Sequence, residues 1–136
     1  MHKTSTGLTF MLLALTLAAC LGSTSSPALD GTRWVLGSLD GDPPLDAVTI
    51  TLAFEDGQLS GDGGCNQYGG SYSLSPGGKI TITELISTLR ACLDNDLTAQ
   101  ESRYLQLLAA ATSYRVTSTT LELSSPEGSL TFTSAD

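Results

Sequence analysis

The side chains that most often perform acid–base or metal chemistry are unevenly represented in this sequence. It contains one histidine, His2, and three cysteines, against fourteen aspartates and glutamates. Imidazole is the usual general base near neutral pH and a frequent zinc ligand. His2 lies in an N-terminal segment that we expect to be cleaved, so the mature chain would contain no imidazole. Histidine-dependent catalysis is therefore not expected.

Carboxylates are the main group left for chemistry. A pair of carboxylates could hydrolyse a glycoside, but most of those present lie in sequences typical of turns, where acidic side chains bond to the backbone and face solvent. These residues are Asp40, Asp42, Asp46, Asp56, Asp62, Asp94 and Asp96. A carboxylate-based hydrolase stays open as an alternative, but no particular residue is predicted to be catalytic.

Two acidic loops resemble the start of a calcium-binding EF-hand loop. The first, residues 40–42, is followed by two prolines, and Thr51 stands where the closing glutamate is required. The second, residues 94–96, has Leu105 at that position. We therefore predict no metal ligand and no cofactor-binding residue.

A glycine-rich stretch, residues 61–70, surrounds Cys65. A phosphate-binding P-loop would need a lysine followed by serine or threonine and then a helix, and this stretch contains no lysine. Glycines also permit bulges and the close approach of two backbones. We expect that structural role here.

The N-terminus has the pattern of a lipoprotein signal. Lys3 precedes an apolar run, residues 8–19, and the sequence Leu17-Ala18-Ala19-Cys20 resembles the bacterial lipobox. Residues 1–19 are predicted to be a signal peptide, and Cys20 is predicted to carry the lipid, including fatty acyl chains such as palmitate. An ordinary cleaved signal followed by an unrelated cysteine is the alternative. Residues 20–29 would then form the lipidated cysteine and a flexible tether.

A lipid at Cys20 would place the protein in the cell envelope. Two or more acyl chains hold a protein firmly on a membrane that it does not span. If the host has two membranes, Leu21 after the lipidated cysteine favours the outer membrane, with the protein facing the periplasm. The mature chain would have five basic side chains against fourteen acidic ones, a net charge of about −9, which argues against nucleic acid as a partner.

The two remaining cysteines, Cys65 and Cys92, form an even pair in an oxidising compartment. Disulfides persist in such compartments, so we favour a bridge between them over two free thiols. A loop of this length would contribute on the order of 3.6 kcal/mol to the free energy of unfolding.

Apolar and polar residues alternate along most of the remaining chain, which predicts antiparallel strands. Residues 48–55 show the alternation most clearly, and Asp56-Gly57 then predicts a tight hairpin with a returning strand over 58–61. The same alternation occurs at Ile80 and Ile82, Tyr114 and Val116, Leu121 and Leu123, and Leu130 and Phe132. Gly77-Gly78 and residues 126–128 separate neighbouring strands.

One segment, residues 98–112, has helical periodicity instead. Its apolar face comprises Tyr104, Leu107, Leu108 and Ala111. Thr98 and Glu101 have the spacing of a capping box at the start of a helix. The sequence therefore predicts an α+β fold, dominated by an antiparallel sheet, with one main helix packed on it.

These residues together resemble the META domain, the family of HslJ-like bacterial lipoproteins. The segments that carry the resemblance are 31–34, 61–72, 87–92, 100–101 and 104–105, and the most specific feature is Gly-Cys-Asn, then Ala-Cys, then the helix. Arg90 stands where the family usually has methionine. The resemblance covers about residues 29–134, and we assign residues 30–136 to a META-like domain. It implies an envelope protein linked to stress tolerance, with no catalytic residues.

We therefore expect a membrane-anchored envelope lipoprotein whose domain is not an enzyme. Its expected role is to bind a protein partner in envelope integrity or stress response. The alternatives are the carboxylate-based hydrolase and a small inhibitor or accessory subunit of an envelope enzyme.

Overall fold

The computed structural model of the protein describes residues 29–136. The predicted signal peptide, Cys20 and the predicted tether up to residue 28 lie outside the described residues. The helix within the described part is neither long nor apolar enough to cross a membrane.

Eight strands and one helix make up the fold. The strands are β1 (Arg33–Leu39), β2 (Thr51–Glu55), β3 (Gln58–Asp62), β4 (Gln67–Ser75), β5 (Lys79–Ser87), β6 (Ser113–Val116), β7 (Thr120–Ser125) and β8 (Gly128–Ser134). The helix, α1 (Asn95–Ala110), lies between β5 and β6. The predicted α+β, sheet-dominated class is therefore confirmed.

The sheet closes into a barrel in which each strand pairs with its neighbours in the sequence and β1 pairs with β8. All pairs are antiparallel, and β1 meets β8 from Trp34↔Ser134 to Leu39↔Leu130. The β5–β6 contact is the weakest, since only Lys79↔Ser113 are paired. Helix α1 packs against β5, β7 and β8, beside this incomplete seam.

The alternating apolar residues form the core, as predicted from their spacing. Tyr114 and Val116 are partly buried against that core, and Val48 is also only half-buried because β2 begins at Thr51. The remaining predicted inward residues are buried: Ile50, Leu52, Phe54, Ile80, Ile82, Leu121, Leu123, Leu130 and Phe132.

The turn predictions also hold. Asp56 and Gly57 connect β2 to β3 with φ angles of 50° and 77°, the left-handed pair that a tight hairpin requires. Gly77 and Gly78, between β4 and β5, have φ angles of 83° and 69°. The helical face is buried as expected at Tyr104, Leu107, Leu108 and Ala111.

The predicted start of the helix is wrong. Helix α1 begins at Asn95, and its N-cap is Asp94, whose carboxylate accepts hydrogen bonds from the N–H groups of Asp96 and Leu97. Aspartate caps a helix as well as threonine does or better, so the first turn is completed before Thr98 is reached. Glu101, the other member of the predicted capping box, has a different function.

The folded part also includes one residue more than predicted. Leu29, assigned to the tether, is fully buried in the core, and its carbonyl accepts a hydrogen bond from Thr32 N at 3.1 Å. A lone leucine beside small polar residues has no periodicity that would reveal this packing.

Candidate functional site

The disulfide predicted between Cys65 and Cys92 is present, with a Cα–Cα distance of 6.0 Å. Cys65 lies in the turn between β3 and β4, and Cys92 lies in the 88–94 segment, which connects β5 to α1. The bridge therefore ties this irregular segment to the barrel.

Glu101 links the same turn to the helix. Its Oε2 accepts hydrogen bonds from the N–H groups of Cys65 and Asn66 at 2.8 and 2.7 Å, and its Oε1 accepts one from Asn66 Nδ2 at 2.6 Å. The side chain is only 5 % exposed. A buried carboxylate needs such donors to offset the loss of water, so Glu101 acts as a structural clamp.

Asn66 extends this network to the 88–94 segment. Its Oδ1 accepts hydrogen bonds from Arg90 N at 2.7 Å and from Thr88 Oγ1 at 2.9 Å. Its Nδ2 also reaches the carbonyl of Arg90 at 3.4 Å. The segment has no regular structure of its own, but side-chain hydrogen bonds near its start and the disulfide near its end hold it in place.

The clamp explains part of the glycine-rich stretch. A Cβ at Gly63 would lie 2.7 Å from Oε2 of Glu101, which is closer than a real Cβ contact allows. Gly64 has a φ of 106°, a conformation that glycine adopts without steric cost. At Gly63 the close neighbour is thus a side chain of α1. The predicted close approach of two backbones is found at Gly61, where a Cβ would collide with the main-chain carbonyl of Thr51.

Three large apolar side chains are exposed at this place. Ile86 is 74 % exposed, Leu89 is 96 % exposed, and Leu93 is fully exposed. We refer to Ile86, Leu89 and Leu93 as the apolar patch. Single exposed leucines are common, but a group of them on one short stretch often indicates an interaction site.

A shallow cleft of about 470 Å³ adjoins the apolar patch. One wall is formed by residues 87–92, and the helix contributes Thr98, Ser102 and Leu105 to the other. Leu105 is half-buried there, since it packs against the core without being covered. The cleft therefore has an apolar side chain of α1 in its lining.

Two carboxylates of the acidic loops, Asp40 and Asp94, make structural contacts. Asp40 pairs with Arg103, whose Nε and Nη2 donate to Oδ2 at 3.0 and 2.8 Å, and this hydrogen bonding lowers the pKa of Asp40 below its usual range. Asp94 is the helix N-cap. Each of these two carboxylates thus has a structural partner within residues 29–136.

Two tyrosines share a hydrogen bond inside the barrel. The hydroxyls of Tyr68 and Tyr104 are 2.6 Å apart, and Tyr68 donates to the carbonyl of Thr51. Burial raises the pKa of both side chains well above that of an exposed tyrosine. They remain neutral and are part of the core.

A model of the META domain family matches residues 27–136. The chain belongs to the META domain family. A META domain in this chain thus covers all the described residues, and the resemblance noted in the sequence is confirmed.

Solved structures resemble this META domain. One protein solved by NMR is 27 % identical, with a TM-score of 0.64 over 77 % of this chain and 90 % of its own. Another, from Burkholderia xenovorans, is 32 % identical, with a TM-score of 0.63 over 79 % and 83 %. A DUF4847 family protein from Bacteroides vulgatus has 13 % identity and a TM-score of 0.56 over 79 % and 94 %, which shows a shared fold only. No curated protein is significantly similar to the chain.

The departure from the META pattern at Arg90 has little effect on the network. Arg90 bonds to Asn66 through its main-chain N–H and carbonyl, which any residue except proline provides. Its side chain is exposed and is free to differ from methionine.

Sequence reasoning missed the residues that organise this part of the META domain. Asn66 was noted only within a motif, and Glu101 was assigned to a helix cap. Ile86, Leu89 and Leu93 were not singled out. Ile86, Leu89 and Leu93 are spaced at i, i+3 and i+7, which is typical of one face of a helix. The structure has no helix there, so this spacing does not reveal that the three side chains are exposed.

Proposed function

We propose that this META domain protein is a lipid-anchored component of the cell envelope that acts by binding a protein partner and not by catalysis. The observation that carries the proposal is the apolar patch. Ile86 faces solvent at the end of β5, and Leu89 and Leu93 face solvent on the 88–94 segment, which a disulfide and the Asn66 hydrogen bonds hold in place. A surface fixed in this way binds with a smaller entropy cost than a flexible one.

The position of the acidic residues supports a non-enzymatic role. Glu101 is the one buried carboxylate among residues 29–136, and both of its oxygens already accept hydrogen bonds. A general acid or base must instead reach a proton of the substrate. The carboxylate-based hydrolase is therefore the weaker alternative.

The envelope location rests on the lipobox-like sequence that ends at Cys20. The Cys65–Cys92 bridge supports the same location, because structural disulfides are stable in an oxidising compartment. We propose an outer-membrane position facing the periplasm if the host has two membranes. The partner would belong to a process that maintains the envelope or responds to stress.

Photo-cross-linking in the intact envelope tests the binding role. A photoreactive residue at position 89 should give discrete adducts with another protein. The same residue at position 81, an exposed site on β5, serves as the control and should give none. An absence of adducts at 89, or the same adducts at both positions, would contradict a specific partner at the apolar patch.

A further inference from the structure

The first described residues lie beside the β2–β3 hairpin. Asp30 Oδ1 accepts a hydrogen bond from Asp56 N at 2.6 Å, and Gly31 N donates to the carbonyl of Phe54 at 2.7 Å. The described chain therefore begins at this end of the barrel.

The apolar patch lies at the opposite end. Strand β3 runs from Gln58, beside the hairpin, to Asp62, and Gly61 pairs with Tyr68, which in turn pairs with Ser87 at the end of β5. The four steps from Gln58 to Asp62 span about 13 Å. The apolar patch therefore lies at the opposite end of the barrel from the first described residues, which follow the proposed anchor at Cys20 in the sequence.

The surroundings of the apolar patch are acidic. Three exposed carboxylates are close to it in the sequence, namely Glu84, Asp94 and Asp96. A fourth, Asp62, is exposed near Cys65, which the disulfide joins to Cys92. Arg90 is the cation of the 88–94 segment. The ion pairs within residues 29–136 use other carboxylates, namely Asp40 with Arg103 and Glu122 with Arg115. These four acidic residues, the acidic rim, form no ion pair with a basic side chain of the described domain.

We propose that the apolar patch docks onto a protein whose apolar groove is bordered by lysine and arginine side chains. This inference rests on the proposed binding function and adds the chemistry of the partner. Opposite charges around an apolar contact accelerate association and exclude wrong partners. A second copy of this chain is a less suitable partner, because it would bring an identical acidic rim. An anionic lipid surface would likewise repel the acidic rim.

Two synthetic amphipathic helices provide the probes. Both have the same leucine face, which is bordered by lysines in one peptide and by glutamates in the other. Binding to the mature chain, residues 20–136 with Cys20→Ser, is measured by fluorescence anisotropy. We expect the lysine peptide to bind at least about tenfold more tightly, with the preference lost near 1 M salt, where the Debye length is about 3 Å.

Matched variants separate the apolar and electrostatic parts. The double change Leu89→Ser and Leu93→Ser should lower the affinity for the lysine peptide by at least about tenfold. The domain should stay folded, because both leucines are exposed. The double change Asp94→Asn and Asp96→Asn should reduce the difference in affinity between the lysine and glutamate peptides. The helix should stay capped, because asparagine is as good an N-cap residue as aspartate. Thr81→Ser, an exposed change on β5, should leave both affinities unaltered.

Several outcomes would overturn the inference. These are equal affinity for the two peptides, no binding of either peptide, or binding that does not depend on Leu89 and Leu93. Leu89-dependent binding to phosphatidylglycerol vesicles, or a Leu89-dependent dimer in sedimentation, would assign the apolar patch to a membrane or to a second copy. If position 89 still cross-links to a protein while the peptides are not distinguished, the proposed function stands and only the partner's charge is wrong.

Discussion

Glu101 joins three parts of the molecule through one carboxylate. It projects from α1 and accepts hydrogen bonds from two backbone N–H groups of the β3–β4 turn and from Asn66 Nδ2. Asn66 in turn holds the 88–94 segment through Arg90 and Thr88. The position of the apolar patch therefore depends on a residue that does not belong to it.

Replacing this carboxylate should destabilise the domain. Glu101→Gln keeps the size of the side chain but places an NH₂ group against donors, so we expect a loss of about 2–4 kcal/mol in the free energy of unfolding. Glu55→Gln, an exposed change on β2, should stay within about 0.5 kcal/mol. Urea denaturation measures both variants. Equal stability of the two would show that the clamp has no energetic role.

Among the elements, α1 completes the barrel where the strands do not. Strands β5 and β6 pair only at Lys79↔Ser113, and the helix packs against β5, β7 and β8 beside this seam. The buried face of α1 therefore covers the apolar core where a further strand pair is missing.

The helix should therefore be sensitive on one face only. Leu107 and Leu108 are at most 2 % exposed, so Leu107→Ala or Leu108→Ala should cost about 2–5 kcal/mol. Gln106 is exposed, and Gln106→Ala should change stability by about 0.5 kcal/mol or less. Denaturant unfolding of the three variants measures these changes. Similar losses in the free energy of unfolding at all three positions would contradict this packing.

The disulfide, like the Asn66 hydrogen bonds, holds the 88–94 segment in place. It closes the loop between Cys65 and Cys92, a separation of 27 residues. Reduction should lower the free energy of unfolding by about 3–4 kcal/mol through the greater entropy of the unfolded chain. Thermal melts with and without reductant test this. The double variant Cys65→Ala and Cys92→Ala should melt like the reduced protein and should not respond to reductant.

At the scale of the whole molecule, the described domain lacks a basic surface that could bind a membrane. Five basic and fourteen acidic side chains give it a net charge of about −9, and its helix cannot cross a bilayer. Membrane attachment would then depend on the lipid that we propose at Cys20.

Cys20→Ser should therefore release the protein. Fractionation of cells that export this variant through an ordinary cleaved secretory signal should find it in the soluble envelope fraction, while the unaltered chain stays with the membranes. Tight membrane binding of the processed variant would mean that another part of the chain provides the anchor.

Local patterns in the sequence predicted β2, β3, β5 to β8 and the body of α1, but not β1, β4 or the start of the helix. The alternation at Ile50, Leu52 and Phe54 reports a half-buried strand because successive side chains point to opposite faces. Asp56-Gly57 predicts its hairpin because few residues accept left-handed φ angles. Each prediction depends on residues that are neighbours in the chain.

Tertiary structure alone decided the closure of the sheet and the assembly of the candidate site. The pairing of β1 with β8 joins residues about a hundred positions apart, and Glu101 meets Asn66 across 35 positions. Leu29 is buried and Leu89 is exposed, although both are leucines next to short polar stretches. No local pattern separates such cases, because burial and hydrogen bonding across the fold depend on which distant segments the closed barrel brings together.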